Sequence, residues 1–480
     1  MLFSFLIVLV VLILTGSLSF PAVSQEQEIS DRVRNRRKSK KKYFYIYDWP
    51  LDVIDRWPFA NTHKRQSIDL KFRDNYGIGP LMNAEVGMYH THQYSLFLTF
   101  YHRLLESPHR TLDPEKATQF FIPYDIGMDS STRQEDGALF QTNCPKLQQV
   151  LDLLSNSKYY QESHGTNHFT LHSINQPMNY YLNLRCMEFY RACYNCTKFS
   201  IDTYTQDMYP VLRDYPEMRH KWRSIPFPSN FHMSSNVTKV LWKENLDVHR
   251  KYAIAYMGSA GITSRLSKEL RLVLKEQCSK ISDCYLIELE SHTSQTDIFK
   301  SQSNFPHGVY AESTFCLMPG GDFPTRKAFV DALLSGCIPV TFNPFTAINQ
   351  MPYHWGNTKN ARLVVVNIPR DQMIQNPSVE FEKLVSWSFN ESFVMQRRKR
   401  IAQIGHRFQY NVPGGSSIIK EKNNHQTIDA VDVIIRSLFI ANMDNVKNDN
   451  TRPVDNQENK KEPRRRGKRS NRGKLGLSNG

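Results

Sequence analysis

Apolar positions recur along the chain in two successive rounds, each combining strand-like and helix-like periods. In the first round, strand patterns lie at 42–50 and 117–127, and helix patterns lie at 85–107 and 144–157. The stretch 195–235 is rich in proline, tyrosine and polar residues, which predicts loops. Strands that alternate with helices predict a parallel sheet with helices packed on its faces.

The second round begins near residue 252. Its predicted strands are 252–259, 283–290, 312–319, 337–342 and 361–369, and its predicted helices are 264–278 and a closing helix at 426–442. The helix at 264–278 places Leu266, Leu270 and Leu274 on one face. The two rounds predict an α/β protein with two Rossmann-like domains, 43–240 and 241–442, that face each other across a cleft. Ligands of such sheets bind outside the carboxyl ends of the strands.

The first residues, 1–24, are typical of a segment that directs a protein into the secretory pathway. An apolar run extends from Phe5 to Leu14, and the small residues Ala22 and Ser24 suit cleavage before Gln25. The alternative is a retained single-span signal-anchor, for which the segment is marginally long enough. The basic cluster that follows it opposes a lumenal carboxyl terminus by the positive-inside rule, so the physical argument favours cleavage.

The net charge of +15 is concentrated at the two ends of the chain. Residues 31–42, within a predicted stem at 25–42, and residues 451–480, within a predicted tail at 443–480, together carry 14 of these charges. Both segments are apolar-poor, which predicts disorder. The body is nearly neutral, so the charge does not indicate nucleic-acid binding. Solvated spacers are the plainer interpretation of the tails, and docking to acidic polysaccharide or lipid headgroups is the alternative.

Cysteines and glycosylation sequons agree with passage through the secretory pathway. The chain has eight cysteines, and Cys278 and Cys284 flank a short segment that suits a local disulfide. Cys193 and Cys196 form a CxxC without a second pair at zinc spacing, so disulfides are favoured over metal binding throughout. Asn195, Asn236 and Asn390 begin sequons and are candidate glycosylation sites.

The sequence GGDFPTRKAFVDALLSGCIPV, residues 320–340, connects the strand at 312–319 to the next strand. The two glycines permit close backbone approach, and Asp322 and Pro324 suit the start of a helix. Gly336 suits its end. The unit is therefore predicted as strand, glycine-rich loop, helix and strand, as in one half of a nucleotide-binding domain. It matches neither the P-loop pattern nor GxGxxG.

Arg326 and Lys327 are unusual in the first turn of the predicted helix. A helix N-terminus carries roughly +0.5 charge, so two cations there are locally unfavourable. An anion bound in the loop reverses that sign, and a diphosphate is the natural candidate. The alternatives are that both side chains extend into solvent, or that Lys327 pairs with Asp331 four residues later.

The long motif from Ser313 to Val340 resembles the signature of the exostosin family of glycosyltransferases, and it is most similar to the plant xyloglucan galactosyltransferase branch. Similar elements are YIYDWP at 45–50, Glu85 with Tyr89 and His90, and the segment 110–129. The resemblance covers about residues 43–440. One departure is GTNHF at 165–169, where Asn167 replaces the acid of the family pattern.

The resemblance implies a GT-B fold and an inverting transfer from a UDP-sugar to a glycan or glycoprotein acceptor. It implies no required cofactor and no metal, in keeping with the absence of Asp-x-Asp from the sequence. The implied location is the Golgi lumen, as a type II single-pass membrane protein or a secreted one. A complex with another glycosyltransferase is a further expectation. The donor sugar is left open among galactose, a uronic acid and a pentose.

Two sets of side chains are candidates for the chemistry. The donor-binding candidates are Gly320, Gly321, Asp322, Thr325, Arg326, Lys327 and Asp331. Asp331 either touches the nucleotide or orients the helix. The candidates for the base lie in the first domain, across the cleft, and are Glu85, His90, Asp129 and His168, with Glu85 favoured.

Two other classes of protein compete with a transferase. A glycan-binding or scaffold protein that has lost turnover is the first, and Asn167 is the residue that raises it. A glycoside hydrolase is the second, but it needs two facing carboxylates and no nucleotide site. The glycine-rich loop with its basic first turn argues against a hydrolase.

Overall fold

A computed structural model describes residues 42–48, 74–92, 95–126, 129, 144, 146–173, 187–203, 220–244, 246, 250–258, 265–288, 307–321, 323–414 and 428–440. All of these except Ile440 belong to one compact unit. The predicted signal segment, nearly all of the stem, the carboxyl-terminal tail and Asp322 lie outside the described residues. None of the helices in the described part of the chain is long and apolar enough to span a bilayer.

The first sheet is parallel and built from short buried strands. Its members are β1 (Phe44–Ile46), β4 (Gln119–Phe121), β5 (His168–His172), β6 (Thr197–Ser200) and β7 (Trp222–Ser224), and they lie side by side in chain order. A separate antiparallel ribbon pairs β2 (Leu81–Asn83) with β3 (Met88–Tyr89). Parallel neighbours require crossover connections, and the intervening helices supply them.

The second sheet is also parallel, with the order β12-β11-β10-β8-β9. Its strands are β8 (Tyr252–Gly258), β9 (Cys284–Glu288), β10 (Ser313–Met318), β11 (Ile338–Thr341) and β12 (Val366–Asn367). All six residues of β10 are buried, since β8 and β11 flank it and helices cover its faces. Two such Rossmann-like sheets in one chain are the GT-B arrangement predicted from the sequence.

Helices connect the strands. Those of the first half, up to residue 240, are α1 (Leu96–Leu105), α2 (Leu147–Asn156), α3 (Lys158–Ser163) and α4 (Met187–Ala192), and α5 (Leu241–Glu244) begins the second half. The other helices of the second half are α6 (Arg265–Ser279), α7 (His307–Ala311), α8 (Lys327–Leu334), α9 (Pro352–Trp355), α10 (Thr358–Val364), α11 (Arg370–Gln375), α12 (Pro377–Ser388), α13 (Glu391–Ile404) and α14 (Ala430–Phe439). Short 3-10 turns lie at Pro114–Lys116, Pro344–Thr346 and Gly405–Phe408.

Three secondary-structure predictions are wrong. The predicted helix at 85–107 is helical only from Leu96, because the chain before it forms the β2–β3 ribbon. The segment 195–235, predicted as loops, contains β6 and β7, which complete the first sheet. The predicted strand at 361–369 is mostly helix α10, with only Val366–Asn367 in the sheet. In the first two cases strand pairing outweighs local composition.

Disulfides follow the prediction in part. Cys278 is bonded to Cys284, as predicted, with 5.2 Å between their Cα atoms. A second disulfide, which the sequence did not single out, joins Cys316 in β10 to Cys337 before β11. Cys193 and Cys196 are free thiols buried beside α4, so the preference for disulfides fails at this CxxC.

The sequons differ in their surroundings. Asn236 is exposed. Asn390 is exposed and caps α13, because its side-chain oxygen accepts from the Phe393 amide at 3.0 Å. Asn195 is half-buried, and its side-chain amide donates to the His164 carbonyl at 3.2 Å. Glycosylation at these three positions stays a prediction.

Candidate active site

The connection between β10 and α8 forms the centre of the candidate site. Helix α8 begins at Lys327 with Arg326 as its N-cap in extended backbone, later than the predicted start near Asp322 and Pro324. The Gly321 amide donates to the Phe323 carbonyl at 2.9 Å, which closes a separate turn before the helix. Thr325 and Arg326 consequently stand in an extended entry to the helix rather than in its first turn.

The two glycines leave the backbone of this loop accessible on one side. Among the described residues, a Cβ at Gly320 would meet three atoms at 3.4 Å, whereas the nearest atom to one at Gly321 would be an Arg271 guanidinium nitrogen at 3.7 Å. The loop therefore has open space at Gly321, next to a cation. Such space allows a ligand to approach the backbone closely.

Two arginines lie at this loop. Arg326 donates from its guanidinium to the Pro319 carbonyl at 3.2 Å, and Arg271 in α6 donates to the Gly320 carbonyl at 2.9 Å. Burial raises the pKa of Tyr256, and the positive charges of Arg271 and Arg326 oppose that rise. Both guanidinium groups are therefore within electrostatic reach of the same tyrosine, beside the glycine loop.

Arg271 was not among the predicted site residues. It is only 3% exposed and lies three residues before Leu274, on the apolar side of α6. A cation on the buried side of an amphipathic helix is a sequence signal, because such a charge needs partners. Only the fold shows that the partner is the glycine loop.

Lys327 has a different role from Arg326. Its ammonium group is buried and donates to Asp331 at 2.9 Å, so the i,i+4 pairing is the alternative that the structure shows. Burial lowers the pKa of Lys327, and the Asp331 carboxylate opposes this effect. The donor-binding role assigned to Lys327 stays a prediction.

Asp331 connects α8 to the first half of the molecule. It accepts from the Asn230 backbone amide at 2.7 Å and from the Asn230 side chain at 3.4 Å. The Asn230 carbonyl in turn accepts from the Tyr89 amide at 2.8 Å, and its side chain accepts from the Thr91 amide at 3.2 Å. Asp331 thus orients the helix against the segment that carries the β2–β3 ribbon.

Further contacts join the loop before α8, from Gly320 to Arg326 and hereafter called the donor loop after its predicted role, to the carboxyl edge of the first sheet. The Thr325 hydroxyl donates to the buried Asp202, just after β6, at 2.6 Å. Next to it, the Thr203 amide donates to the Gln350 side chain at 3.1 Å. The Ser224 hydroxyl, at the end of β7, accepts from the Met351 amide at 2.7 Å. The carboxyl ends of β6 and β7 therefore face the second half at the predicted site.

Glu85 and His90 lie on the β2–β3 ribbon. Glu85 is exposed in the turn between the strands, not on a helix, and its carbonyl accepts from the Thr238 and Lys239 amides at 2.9 and 3.0 Å. His90 follows β3 and is buried. The ribbon contacts Asn230 through Tyr89, and Asn230 binds Asp331, so His90 lies next to this connection, whereas Glu85 lies in the turn at the other end of β3. Their roles as a base stay predictions.

Asp129 and His168 lie in different parts of the first sheet. Asp129 is buried beyond the carboxyl end of β4 and accepts from the Tyr124 hydroxyl at 2.8 Å, and burial raises its pKa to about 6. His168 begins β5, at the amino edge of the sheet, and bonds the Tyr47 hydroxyl at 2.8 Å. Burial lowers the pKa of His168 to about 4. The structure does not bring His168 together with Thr325 and Arg326.

Asp125 and His172 are further polar residues at the carboxyl edge that the sequence argument did not select. Asp125 accepts from the Ser173 amide at 2.9 Å and lies 4.0 Å from the His172 ring nitrogen. Burial, with a smaller contribution from the charge of Lys198, lowers the pKa of His172 to about 3. An acid soon after a buried strand, as in FFIPYD at 120–125, is the signal that indicates Asp125.

Asn167, the departure from the family pattern, lies at the amino edge beside His168. Its carbonyl accepts from the Phe120 amide at 2.9 Å. Asn167 therefore lies at the amino end of β5, whereas Ser173 and Asp202 lie at the carboxyl edge of the sheet. Among the described residues, no group of three or more His, Cys, Asp or Glu side chains is arranged to hold a metal ion.

The two parallel sheets and the glycine loop with its cations define a GT-B glycosyltransferase. Residues 33–381 match the Exostosin GT47 domain, so the chain belongs to the exostosin GT47 family of glycosyltransferases. The resemblance predicted from the sequence is thereby confirmed, and the protein is an enzyme of that class.

Similar proteins with assigned names are also glycosyltransferases. The chain is 26% identical over 422 residues to the probable xyloglucan galactosyltransferase GT17 of Arabidopsis thaliana, covering 84% of this chain and 83% of that protein. It is 26% identical to the xyloglucan-specific galacturonosyltransferase 1 of the same plant, covering 84% of this chain and 58% of the relative. The crystal structure of TarM aligns with 55% of this chain and 56% of its own, at 9% identity and a TM-score of 0.28, a likeness too slight to support an argument.

Proposed function

We propose that the enzyme transfers galactose or a galacturonic acid residue from a UDP-sugar to a hydroxyl group of a xyloglucan-type polysaccharide, with inversion at the anomeric carbon. The two relatives carry the words xyloglucan, galactosyltransferase and galacturonosyltransferase in their names. A glycoprotein acceptor and a pentosyl donor, both expected from the sequence, are the competing outcomes.

The observation that carries the proposal is the pair Arg271 and Arg326 at the Gly320–Gly321 loop. The reaction breaks the bond between the anomeric carbon and the diphosphate, so negative charge grows on the leaving diphosphate. Fixed cations and backbone amides next to that charge stabilise the transition state more than the ground state. Arg271 and Arg326 are held by carbonyls of the loop itself, at Gly320 and Pro319, which keeps both guanidinium groups at the loop.

The acceptor side of the reaction belongs to the first half. An acceptor oxygen forms the new bond to the anomeric carbon while UDP leaves from the opposite face, and a base takes the hydroxyl proton. Glu85, His90 and Asp129 are the proposed candidates. For Asp129, a pKa of about 6 places its ionisation close to neutral pH, as general-base catalysis requires. Its two hydrogen-bond donors, Tyr124 and the Lys146 amide, favour the carboxylate form.

The proposed reaction needs no metal, because the arginines supply the positive charge that a metal provides in transferases with Asp-x-Asp. The test is activity after treatment with a chelator. Full retention supports the proposal, and loss that Mg²⁺ or Mn²⁺ restores overturns this part of it.

The test of the transfer itself is a panel of UDP-sugars with xyloglucan, other β-glucans and a glycoprotein as acceptors. UDP release that depends on xyloglucan, with UDP-galactose or UDP-galacturonic acid, supports the proposal. An α-linked donor must give a β-linked product, which NMR of the new anomeric proton detects. Arg271→Ala and Arg326→Ala should each lose UDP binding in calorimetry. Normal binding by both variants would remove the pair from the site.

We further propose that the protein works in the Golgi lumen, either anchored through residues 1–24 or released by cleavage after them. The sequons and the disulfides support an oxidising, glycosylating compartment. Amino-terminal sequencing of the mature protein decides between anchor and cleavage. Microscopy of a tagged full chain tests the compartment.

A further inference from the structure

A groove of about 310 Å³ lies on the first sheet beside its edge strand β1, outside the arginine and glycine loop. Its lining includes Tyr45, Tyr47, Asp48, Asn156, Lys158 and Tyr159. The volume is at the lower end of the range for small-molecule pockets. The groove lies between β1 and the junction of α2 and α3, and neither the donor loop nor α8 contributes to it.

The walls of this groove are aromatic rings held at fixed angles. Tyr45 and Tyr47 meet edge to face with 6.0 Å between their centroids, and Tyr159 stacks on Phe120 at 4.8 Å. Tyr47 is held further by hydrogen bonds of 2.8 Å to Ser157 and to His168. Rings fixed in this way give a ligand large contact area at little cost in side-chain entropy.

The rim of the groove is polar and nearly balanced in charge. Lys158 pairs with Glu115, and the Tyr159 hydroxyl donates to Glu115 at 2.7 Å. The Tyr45 hydroxyl donates to the exposed Asp48 at 3.0 Å. An excess of cations, which a phosphate or an acidic chain requires, is missing from this set of lining residues. The groove also continues into apolar surface, because Leu153 is 40% exposed.

We propose that this groove binds neutral sugar units of the acceptor polysaccharide at a distance from the point of transfer. A pyranose ring has an apolar face of C–H groups, which packs on an aromatic face, and an equatorial rim of hydroxyls, which bonds carboxylate, amide and ammonium groups. The groove offers these two kinds of surface together. This inference rests on the proposed function, since only a polymeric acceptor reaches both the groove and the transfer site.

Such a site raises the effective concentration of acceptor units at the point of transfer. A chain held in the groove presents its other units to the cleft in an intramolecular step, so weak contacts at two places give a stronger combined attachment. The gain applies to a polymer that spans both sites and not to a short fragment. That difference separates this proposal from a structural role for the tyrosines.

The test compares Tyr45→Ala and Tyr159→Ala in the full chain with Tyr194→Ala. Tyr194 is the control, because it is a surface tyrosine stacked on a neighbouring ring, His220, at 4.5 Å, and it does not line the groove; it is exposed, whereas Tyr45 and Tyr159 are half-buried. Migration in native gels that contain xyloglucan measures polysaccharide binding without any turnover. Each groove variant should bind the polysaccharide about threefold to tenfold more weakly, and the control should match the wild type.

Kinetics supply the second readout. The groove variants should raise KM for polymeric xyloglucan and leave kcat, UDP binding and KM for a short oligosaccharide unchanged. Equal losses for polymer and fragment, or unchanged retardation in the gel, overturn the proposal. If sedimentation shows that the variants dissociate a dimer, a second copy of the chain occupies the groove and the proposal is also wrong. Absence of all transfer with normal gel retardation would refute the proposed function while sparing this site.

Discussion

The hydroxyl of Thr325 donates a hydrogen bond of 2.6 Å to the carboxylate of Asp202, and this contact joins the entry of α8 to the end of β6. Thr325 immediately precedes Arg326, so the first half of the molecule helps to set the position of a proposed diphosphate ligand in the second half. The geometry of the proposed site therefore depends on residues next to both sheets.

Replacing Thr325 by valine removes this bond while keeping the shape of the side chain. We expect a loss of about 1–3 kcal/mol in the free energy of unfolding, since Asp202 is buried and loses a donor. The KM for the donor should rise, because Arg326 is less firmly placed. Urea denaturation and initial rates measure the two effects. Thr325→Ser retains the hydroxyl and should behave like the wild type.

Replacing Arg326 by alanine should lower kcat about 10²–10³-fold, the usual effect of removing one group that stabilises developing negative charge. The half-buried side chain donates to the Pro319 carbonyl of the loop and to no other group in the described part of the chain, so the fold should persist. UDP release and circular dichroism measure activity and folding. Arg362→Ala, at an exposed arginine of α10, is the control and should retain full activity. Normal turnover by Arg326→Ala would exclude the proposed role.

Replacing Asp331 by alanine should destabilise the protein by about 3–5 kcal/mol, because Lys327 is left as a buried charge without its carboxylate. The double variant Lys327→Met/Asp331→Ala should recover part of this loss. Recovery stays incomplete, since Asp331 also accepts two bonds from Asn230. Chemical denaturation of the wild type, Lys327→Met, Asp331→Ala and the double variant gives the coupling energy. A double variant no more stable than Asp331→Ala would contradict the pairing.

Asp129 should make stability depend on pH in an unusual direction. Its pKa is raised from 3.8 to about 6 in the folded state, so the native protein binds the proton more tightly than the unfolded chain does. The stabilisation by that proton is full below pH 4 and is lost as the pH rises through about 6, on the order of 3 kcal/mol. The stability difference between the wild type and Asp129→Asn, measured by urea denaturation at each pH, should show this trend.

The same variant tests Asp129 as the base. If Asp129 accepts the acceptor proton, the rate of the wild type should rise through an apparent pKa near 6, and Asp129→Asn should lose most activity at every pH. A normal pH–rate profile in the variant would leave Glu85 and His90 as the candidates.

His168 should give stability a pH dependence of opposite sign to that from Asp129. Burial lowers its pKa from 6.5 to about 4, so the folded state favours neutral imidazole. Stability from this residue is full above pH 6.5 and is lost as the pH falls towards 4. His168→Gln should remove that dependence in thermal unfolding scans. Because His168 lies at the amino edge of the sheet, the pH–rate profile of the variant should keep its shape, and a displaced profile would restore His168 as a catalytic candidate.

Local signals were sufficient to predict the unit from β10 to β11. The buried strand β10, the two glycines and the apolar face of α8 all lie within 28 consecutive residues, 313–340. Gly336 adopts a φ of +72° at the end of α8, as the C-cap prediction requires. The start of α8 was placed too early because Asp322 and Pro324 are good helix-initiating residues, while the Thr325–Asp202 contact across the halves keeps the chain extended.

The region of Glu85 was harder to predict. An apolar run at 85–107 fits a helix, but Gly87 has a φ of +63°, and a Cβ there would lie 2.3 Å from the His232 carbonyl. This glycine is the local sign of the β2–β3 turn. Arg271 could not be assigned from sequence at all, because 49 residues separate it from Gly320 and only the β8–β10 pairing brings their elements together.

The disulfide between Cys316 and Cys337 encloses the whole donor loop and α8 in a single covalent ring, with 21 residues of separation between its ends. Cross-links of this span stabilise a fold by about 3 kcal/mol. The loop of the proposed diphosphate site is thus constrained by a covalent bond even without substrate. Enzyme made in a reducing cytosol should lack this disulfide and have a more mobile loop and weaker donor binding. The measured donor KM should therefore depend on whether the expression host allows disulfides to form.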